Sequence, residues 1–158
     1  MAFVDILALQ EALLLVAAVL IGYVGVDVAL AMRKNDTAGA KSALKSAAIP
    51  LGSVGAVATV LAVVNEITWP LPGSYNIFFT DVYLLFGLTL VVLAVSMATS
   101  TKLQYAGLFG FVAFFVVLGT AITAFGIGWA FATAVTVAVG IQAASFACLG
   151  MAAGGRAP

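Results

Sequence analysis

The sequence contains no histidine and only one cysteine, Cys148, among its 158 residues. The absence of histidine excludes ordinary haem ligation, imidazole-based metal sites and general-base catalysis by histidine. One cysteine cannot form an internal disulfide or a thiolate cage for zinc or an iron–sulfur cluster. We expect Cys148 to be a small buried apolar residue. No pair of a nucleophile and a base is evident, so an enzyme active in its own right is not expected.

Charged residues are also scarce, at 8 % of the chain against about 25 % in a typical soluble domain. The net charge is zero, which argues against nucleic acid as a partner. Hydrophobic residues reach 65 %. A chain of this length cannot hide so many apolar side chains from water, because a small domain has a large surface for its volume. The composition therefore excludes a soluble globular protein and indicates a lipid bilayer as the surrounding solvent.

Five continuous apolar runs are long enough for a transmembrane helix, which needs about 20 mainly apolar residues. They cover approximately residues 7–32, 46–64, 77–97, 103–125 and 129–151. The runs are continuous rather than alternating, so helices are favoured over a β-barrel. We predict an all-α integral membrane bundle of five transmembrane helices, formed as a single domain by residues 1–158.

The basic residues are distributed asymmetrically along the chain. All six fall in the segments after the first and third spans or in the C-terminal tail: Arg33, Lys34, Lys41, Lys45, Lys102 and Arg156. With five spans, these segments share one side of the membrane, which the positive-inside rule assigns to the cytoplasm. The expected location is the cell membrane, with the N-terminus outside and the C-terminus in the cytoplasm.

The predicted outer loop between spans two and three holds the most unusual residues. Two prolines in the segment Pro70-Leu71-Pro72 keep the chain extended, and Gly73 permits the turn back. Trp69 and Tyr75 suit the membrane–water interface. One interpretation is therefore an ordered hairpin loop with an aromatic anchor.

The other interpretation of this region is an outer site built from carboxylates and amides. Its candidate residues are Asn65, Glu66, Asn76 and Asp81. Oxygen ligands of these types would suit a hard cation. The spacing matches no particular ion, so no metal or cofactor is assigned.

The same segment resembles the signature of a known family. The pattern NExxWPLPGSYNI, at residues 65–77, is followed by Phe79 and Asp81. It resembles an uncharacterised integral membrane family found mainly in archaea and some bacteria. The similarity covers about the central half of the chain. It implies a polytopic membrane protein without an established activity, and it transfers no functional residue.

Asp27 lies inside the first predicted span, near its cytoplasmic end. A carboxylate at the bilayer centre costs about 2.5–3.5 kcal/mol on insertion scales, and residues of this kind commonly mark function. Lys34 is two helical turns further along the same face and could pair with it. A proton or ion role and simple pairing both remain open, and we favour pairing.

Small residues recur at four-residue spacing along the predicted spans. The pairs are Ala18 and Gly22, Gly25 and Ala29, Gly52 and Ala56, Ala106 and Gly110, and Gly140 and Ala144. Lipid provides no hydrophobic force between helices, so close backbone approach must supply the contact. These faces predict tight packing, either within the bundle or against other integral membrane subunits.

Together these features favour a non-catalytic accessory subunit of a larger membrane complex. A respiratory or metal-dependent membrane oxidase or monooxygenase would be a suitable host. The alternative is a small ion or solute transporter or channel that acts as a homo-oligomer and uses Asp27 and the outer carboxylates. Transport usually requires more intramembrane polarity than this sequence offers, so the subunit interpretation is preferred.

The expected topology can be tested at two serines in the segments predicted to lie on opposite sides. In a Cys148→Ala background, Ser74→Cys should react with an impermeant maleimide in intact cells. Ser42→Cys should react only after permeabilisation, because its segment is expected in the cytoplasm. Labelling of Ser42→Cys but not of Ser74→Cys in intact cells would reverse the assignment.

Overall fold

A computed structural model of the chain describes residues 2–70, 73, 75–123, 135, 137, 138 and 140. Four long α-helices account for most of these residues, and no strand occurs among them. Helix α1 spans Ala2–Arg33, α2 spans Thr37–Thr68, α3 spans Tyr75–Ala98 and α4 spans Leu103–Thr123. The predicted all-α class is confirmed for this part of the chain.

Each of the four helices is long and apolar enough to cross a membrane. The fifth predicted span, residues 129–151, lies outside the described residues except at positions 135, 137, 138 and 140, which are helical. Cys148, Ala144, Arg156, and the loop residues Leu71, Pro72 and Ser74 lie outside them as well. The count of five spans, the orientation of the termini and the order of the whole outer loop stay predictions.

The connection between α1 and α2 is much shorter than the sequence suggested. It comprises only residues 34–36, and Lys41 and Lys45 lie within α2 rather than in a loop. Asn35 turns the chain with a φ of 54°, in the left-handed region that asparagine adopts more readily than most residues. Asp36 then caps α2, because its side chain accepts a hydrogen bond from the Gly39 N–H at 2.8 Å. This cap satisfies one of the free N–H groups at the helix start, so α2 begins well before the apolar run.

Helices α2 and α3 pack closely enough for their backbones to touch. A Cβ atom added to Gly55 would lie 2.7 Å from the Leu90 Cβ and 2.9 Å from the Gly87 carbonyl oxygen. A Cβ atom added to Gly87 would lie 2.7 Å from the Thr59 backbone nitrogen. Only glycine allows this approach at both positions, so the two helices meet at a glycine–glycine contact of the kind that drives association in lipid.

The other two helices pack on the same central pair. Helix α4 contacts α3, and it buries a face of mostly small residues: Ala106, Gly107, Gly110, Ala113, Val117 and Ala121. A cavity of about 140 Å³ is lined by residues of α1 and α3, including Leu14, Ala17, Phe86 and Leu90. Helix α1 packs on α2, so the core is centred on the α2–α3 pair.

The predicted small-residue faces divide into two groups. Gly52 packs on α3, where an added Cβ would lie 3.1 Å from the Ala94 Cβ, and the α4 pair of Ala106 and Gly110 is buried. On α1, by contrast, the small residues are exposed: Ala18, Gly22, Gly25 and Ala29. Spacing alone therefore did not distinguish the faces used inside the bundle from those left uncovered.

The glycine contact predicts a strong positional difference between two identical substitutions. Gly55→Ala should lower the free energy of unfolding by about 1–3 kcal/mol, because the added methyl group forces the two backbones apart. At Gly22, none of the described residues has an atom within 4 Å of the Cβ position. Gly22→Ala should therefore be neutral or slightly stabilising, since alanine is favoured over glycine in a helix by about 0.5–1 kcal/mol. Unfolding in detergent micelles measures both, and equal effects would contradict the packing described.

Candidate functional site

Buried polar side chains gather at the end of the bundle where α1 and α3 begin and α2 ends. We call this group the polar cluster, and its members are Gln10, Asn65, Asn76, Thr80 and Tyr83. None is more than 1 % exposed. They come from α1, α2 and α3, whose sequences are almost entirely apolar. The cluster lies at the opposite end from the turn that follows Arg33.

Helix α3 supplies most of the cluster through its periodicity. Asn76, Thr80 and Tyr83 are spaced by four and three residues, which places them on one helical face. The Tyr83 hydroxyl donates a hydrogen bond to the backbone carbonyl of Gln10, and this bond joins α3 to α1. A buried tyrosine hydroxyl requires such a partner. Tyr83 also makes an edge-to-face contact with Phe86, with ring centroids 5.7 Å apart.

A second hydrogen bond joins α3 to α2. The Asn76 side-chain amide donates to the backbone carbonyl of Asn65, with 3.4 Å between nitrogen and oxygen. The same carbonyl accepts the Trp69 N–H at 2.9 Å, which closes the last turn of α2. Asn76 therefore fastens the end of α2 to the first turn of α3, across the outer loop.

Several polar atoms of the cluster have no hydrogen-bond partner among the described residues. They are the Gln10 Oε1 and Nε2, the Asn65 Oδ1 and the Thr80 Oγ1. A buried polar group left unsatisfied costs about 1–3 kcal/mol. Native proteins rarely concentrate such groups without a water or ligand to satisfy them. The arrangement thus has the character of a binding site, made of uncharged oxygen atoms and one amide nitrogen.

The structure brings together some of the residues expected at the outer site but not all. Asn65 and Asn76 are in the polar cluster, whereas the side chains of Glu66 and Asp81 are exposed beside it. Neighbouring residues on a helix point about 100° apart, so a residue adjacent to a buried one can face outward. The two acids lie at the same end of the bundle without entering its interior.

Trp69 lies at the boundary of this region, and its part as an aromatic anchor at the membrane–water interface stays a prediction. It has a φ of 46° and caps α2, while 47 % of its surface is exposed. Gly73 has a φ of 58°, which agrees with its expected part in turning the chain back. An ordered loop between them remains a prediction, because it rests partly on residues outside the described ranges.

Asp27 lies far from the polar cluster. It is separated from Gln10 by about 25 Å along α1, at roughly 1.5 Å per residue, and its side chain is partly buried. Within the described residues, it forms no ion pair with Lys34. The local pairing that the sequence favoured is therefore not seen there, and a proton or ion role for Asp27 remains a prediction.

Sequence reasoning missed three members of the cluster, namely Gln10, Thr80 and Tyr83. Each is a single polar residue in an apolar helix, so composition gave no reason to select it. The spacing of Asn76, Thr80 and Tyr83 on one face was a detectable signal. By contrast, none of the described residues forms a group of three or more acidic, cysteine or histidine side chains able to hold a metal.

The fold and the cluster define a polytopic helical protein in which apolar helices of membrane-spanning length enclose a polar site near one end. The chain belongs to the family described as "Protein of unknown function (DUF981)", whose model matches residues 1–153. This match agrees with the expected membership of an uncharacterised family and extends well beyond the loop that carried the resemblance. No curated protein and no solved structure is significantly similar to the chain.

The hydrogen bond between α1 and α3 predicts that the Tyr83 hydroxyl contributes to stability and that the exposed Tyr105 hydroxyl does not. Tyr83→Phe removes the buried donor to the Gln10 carbonyl and should lower the free energy of unfolding by about 1 kcal/mol. Tyr105→Phe, at a site that is 67 % exposed on α4, should have no measurable effect. Thermal unfolding of both variants in detergent checks this, and an unchanged Tyr83→Phe protein would show that the bond does not stabilise the fold.

Proposed function

We propose that the protein is a non-catalytic integral membrane subunit of the cell membrane, and that it binds a helix of another subunit through α1. The observation that carries this proposal is the exposure of α1. In its most apolar window, 17 % of the residues are buried, against 59 % for α3. Helix α1 thus leaves most of its surface to lipid or to a partner.

The exposed surface of α1 has the composition of a helix–helix interface. Ala18, Gly22, Gly25 and Ala29 follow one another at intervals of four, three and four residues, so they form one stripe along the helix. Among the described residues, no atom lies within 4 Å of the Cβ positions of Gly22 and Gly25. Packing against lipid tails does not require glycine, and each glycine lowers the stability of the helix relative to alanine. The stripe therefore supports close approach by another backbone.

Large side chains next to the stripe would complete such an interface. Val19, Tyr23 and Val26 are 71, 68 and 58 % exposed. A partner helix resting on the glycines would contact these side chains, and dispersion contacts of this type are the main source of association energy in lipid. The proposed occupant is thus an apolar transmembrane helix with small residues of its own.

The orientation in this proposal follows from the distribution of charge. The turn between α1 and α2 and the turn between α3 and α4 lie at the same end, since successive helices reverse direction. Arg33, Lys34 and Lys102 belong to these turns, and Lys41 and Lys45 to the start of α2. We assign this end to the cytoplasm. The polar cluster then lies towards the outer face, and a fifth span returns the C-terminus to the cytoplasm.

In this proposal the host is a larger membrane complex, such as a respiratory or metal-dependent oxidase or monooxygenase. The chain would contribute a helical surface rather than chemistry, in keeping with a sequence that has no histidine and a single cysteine. The second candidate is a homo-oligomeric transporter or channel. The buried polar cluster favours it, because intramembrane polar groups commonly mark a substrate or ion path.

Gentle purification of the tagged protein from native membranes tests the subunit proposal. The wild-type chain should retain a different membrane protein in fixed stoichiometry. In a Gly22→Leu, Gly25→Leu double variant, the amount of partner recovered should fall about tenfold or more. The leucines prevent close approach of the backbones, and a tenfold loss of affinity corresponds to about 1.4 kcal/mol of binding free energy.

Gly119→Leu on α4 is the matched control. Gly119 is also exposed, and no atom of the described part of the chain lies within 4 Å of its Cβ position, so its substitution should leave the partner bound. All variants should keep the melting temperature of the isolated chain. Recovery of the wild-type protein only as copies of itself would contradict the subunit proposal and favour the homo-oligomeric transporter.

A further inference from the structure

We propose that the polar cluster is a binding site for a small monovalent cation, with side-chain oxygens of Gln10, Asn65 and Thr80 as ligands. This site is independent of the proposed partner of α1. Its basis is the set of unpartnered atoms, three of which are oxygens on side chains only 1 % exposed. The ligand is identified by the chemistry of those atoms and by the charge around them.

The register of α2 and α3 places two of the ligands at one level. From residue 52 to residue 59 on α2, the facing residue on α3 changes from 94 to 87. The helices are therefore antiparallel, and each step of one residue forward along α2 corresponds to one residue backward along α3. Continuing the same register to Asn65 reaches residue 81, in the turn that contains Thr80. Both side chains are buried, so the Asn65 amide and the Thr80 hydroxyl lie in the interior at the same level.

Helix α1 brings the third ligand to the same turn. The bond from the Tyr83 hydroxyl fixes the Gln10 backbone next to α3, one turn of helix from Thr80. Side chains tilt towards the N-terminus of their helix, and α1 and α3 both begin at this end. The Gln10 side chain therefore extends from the level of Tyr83 towards that of Thr80 and Asn65.

Uncharged oxygens select the charge of the ligand. Amide and hydroxyl oxygens are hard donors that suit alkali-metal ions. A divalent ion is normally held by carboxylates, but the nearby carboxylates of Glu66 and Asp81 are exposed rather than buried with the cluster. The penalty for moving an ion out of water grows steeply with its charge, so a neutral cage favours a single positive charge. A retained water bound to the Gln10 amide nitrogen would complete the coordination.

Exposed acids surround the cluster and supply the field that a neutral cage lacks. Each ligand is followed directly by an acidic residue, in the pairs Gln10–Glu11, Asn65–Glu66 and Thr80–Asp81, and all three acids are exposed. The lysines and arginines of the described residues lie towards the opposite end. An acidic rim over a low-dielectric interior raises the local concentration of cations. The charge pattern thus attracts the ion that the buried oxygens would hold.

The test is a melting curve of the purified full-length protein in detergent, titrated with NaCl, KCl or LiCl. Choline chloride keeps the ionic strength constant. At least one alkali cation should raise the melting temperature saturably, by about 2–4 °C or more at concentrations well above its Kd. MgCl2 and CaCl2 should not reproduce the shift. A melting temperature independent of the alkali cation would overturn the proposal and leave water as the occupant of the cluster.

A pair of threonine variants separates the buried site from binding at the surface. Thr80→Val keeps the side-chain shape without the hydroxyl, and it should abolish the cation-dependent shift. Thr89→Val is the control, because Thr89 is also buried on α3 but its hydroxyl donates to the Leu85 carbonyl at 2.7 Å. It should retain the shift, as should Thr80→Ser. An equal shift in Thr80→Val and Thr89→Val would contradict the site.

A second ligand keeps the test decisive if Thr80→Val does not fold. Gln10→Met has a similar length and no amide oxygen, and it should also abolish the shift. Glu66→Gln should weaken the apparent affinity several-fold without abolishing the shift, because it removes charge from the rim and leaves the ligands in place. Retention of the full wild-type response in Gln10→Met would overturn the assignment.

Discussion

The structure depends on the backbone contact between α2 and α3 at Gly55 and Gly87. In lipid, apolar side chains gain little by leaving their surroundings, so helices associate through close packing and hydrogen bonds. Two facing glycines bring the helices near enough for a methyl group at either position to collide with backbone atoms. This contact sets the register of the central pair, while α1 packs on α2 and α4 packs on α3.

The same register determines where the polar residues meet. With Thr59 facing Gly87, Asn65 comes level with the turn of α3 that contains Thr80, and Asn76 reaches the end of α2. The tyrosine bond to Gln10 then adds α1 to the group. A polar cluster is expensive in an apolar bundle unless its atoms are satisfied, so its presence at one end indicates a purpose other than stability. The exposed acids at that end place negative charge around the cluster, while the small residues Ala18, Gly22, Gly25 and Ala29 form a separate exposed stripe on α1.

Individual residues show why some of this could be read from the sequence and some could not. The helices α3 and α4 end near the predicted boundaries, because hydropathy alone limits a span in lipid. The sequence pattern did not single out Asp36 as the cap of α2, because the cap depends on the local geometry of the turn at Asn35. Asn65 and Asn76 were selected together with Glu66 and Asp81. Whether each faces inward or outward depends on helix rotation, which a uniformly apolar sequence scarcely specifies.

The sequence by itself determined the class of protein, since 65 % hydrophobic residues and 8 % charged residues leave only the apolar helix as a stable element of this length. It also determined that the basic residues within the described ranges fall towards one end of the bundle. Only the tertiary structure decided which small residues pack, because Gly22 and Gly55 look alike along the chain but only Gly55 meets another backbone. The polar cluster was decided in the same way. Its members belong to three different helices, and the packing register of those helices brings them together.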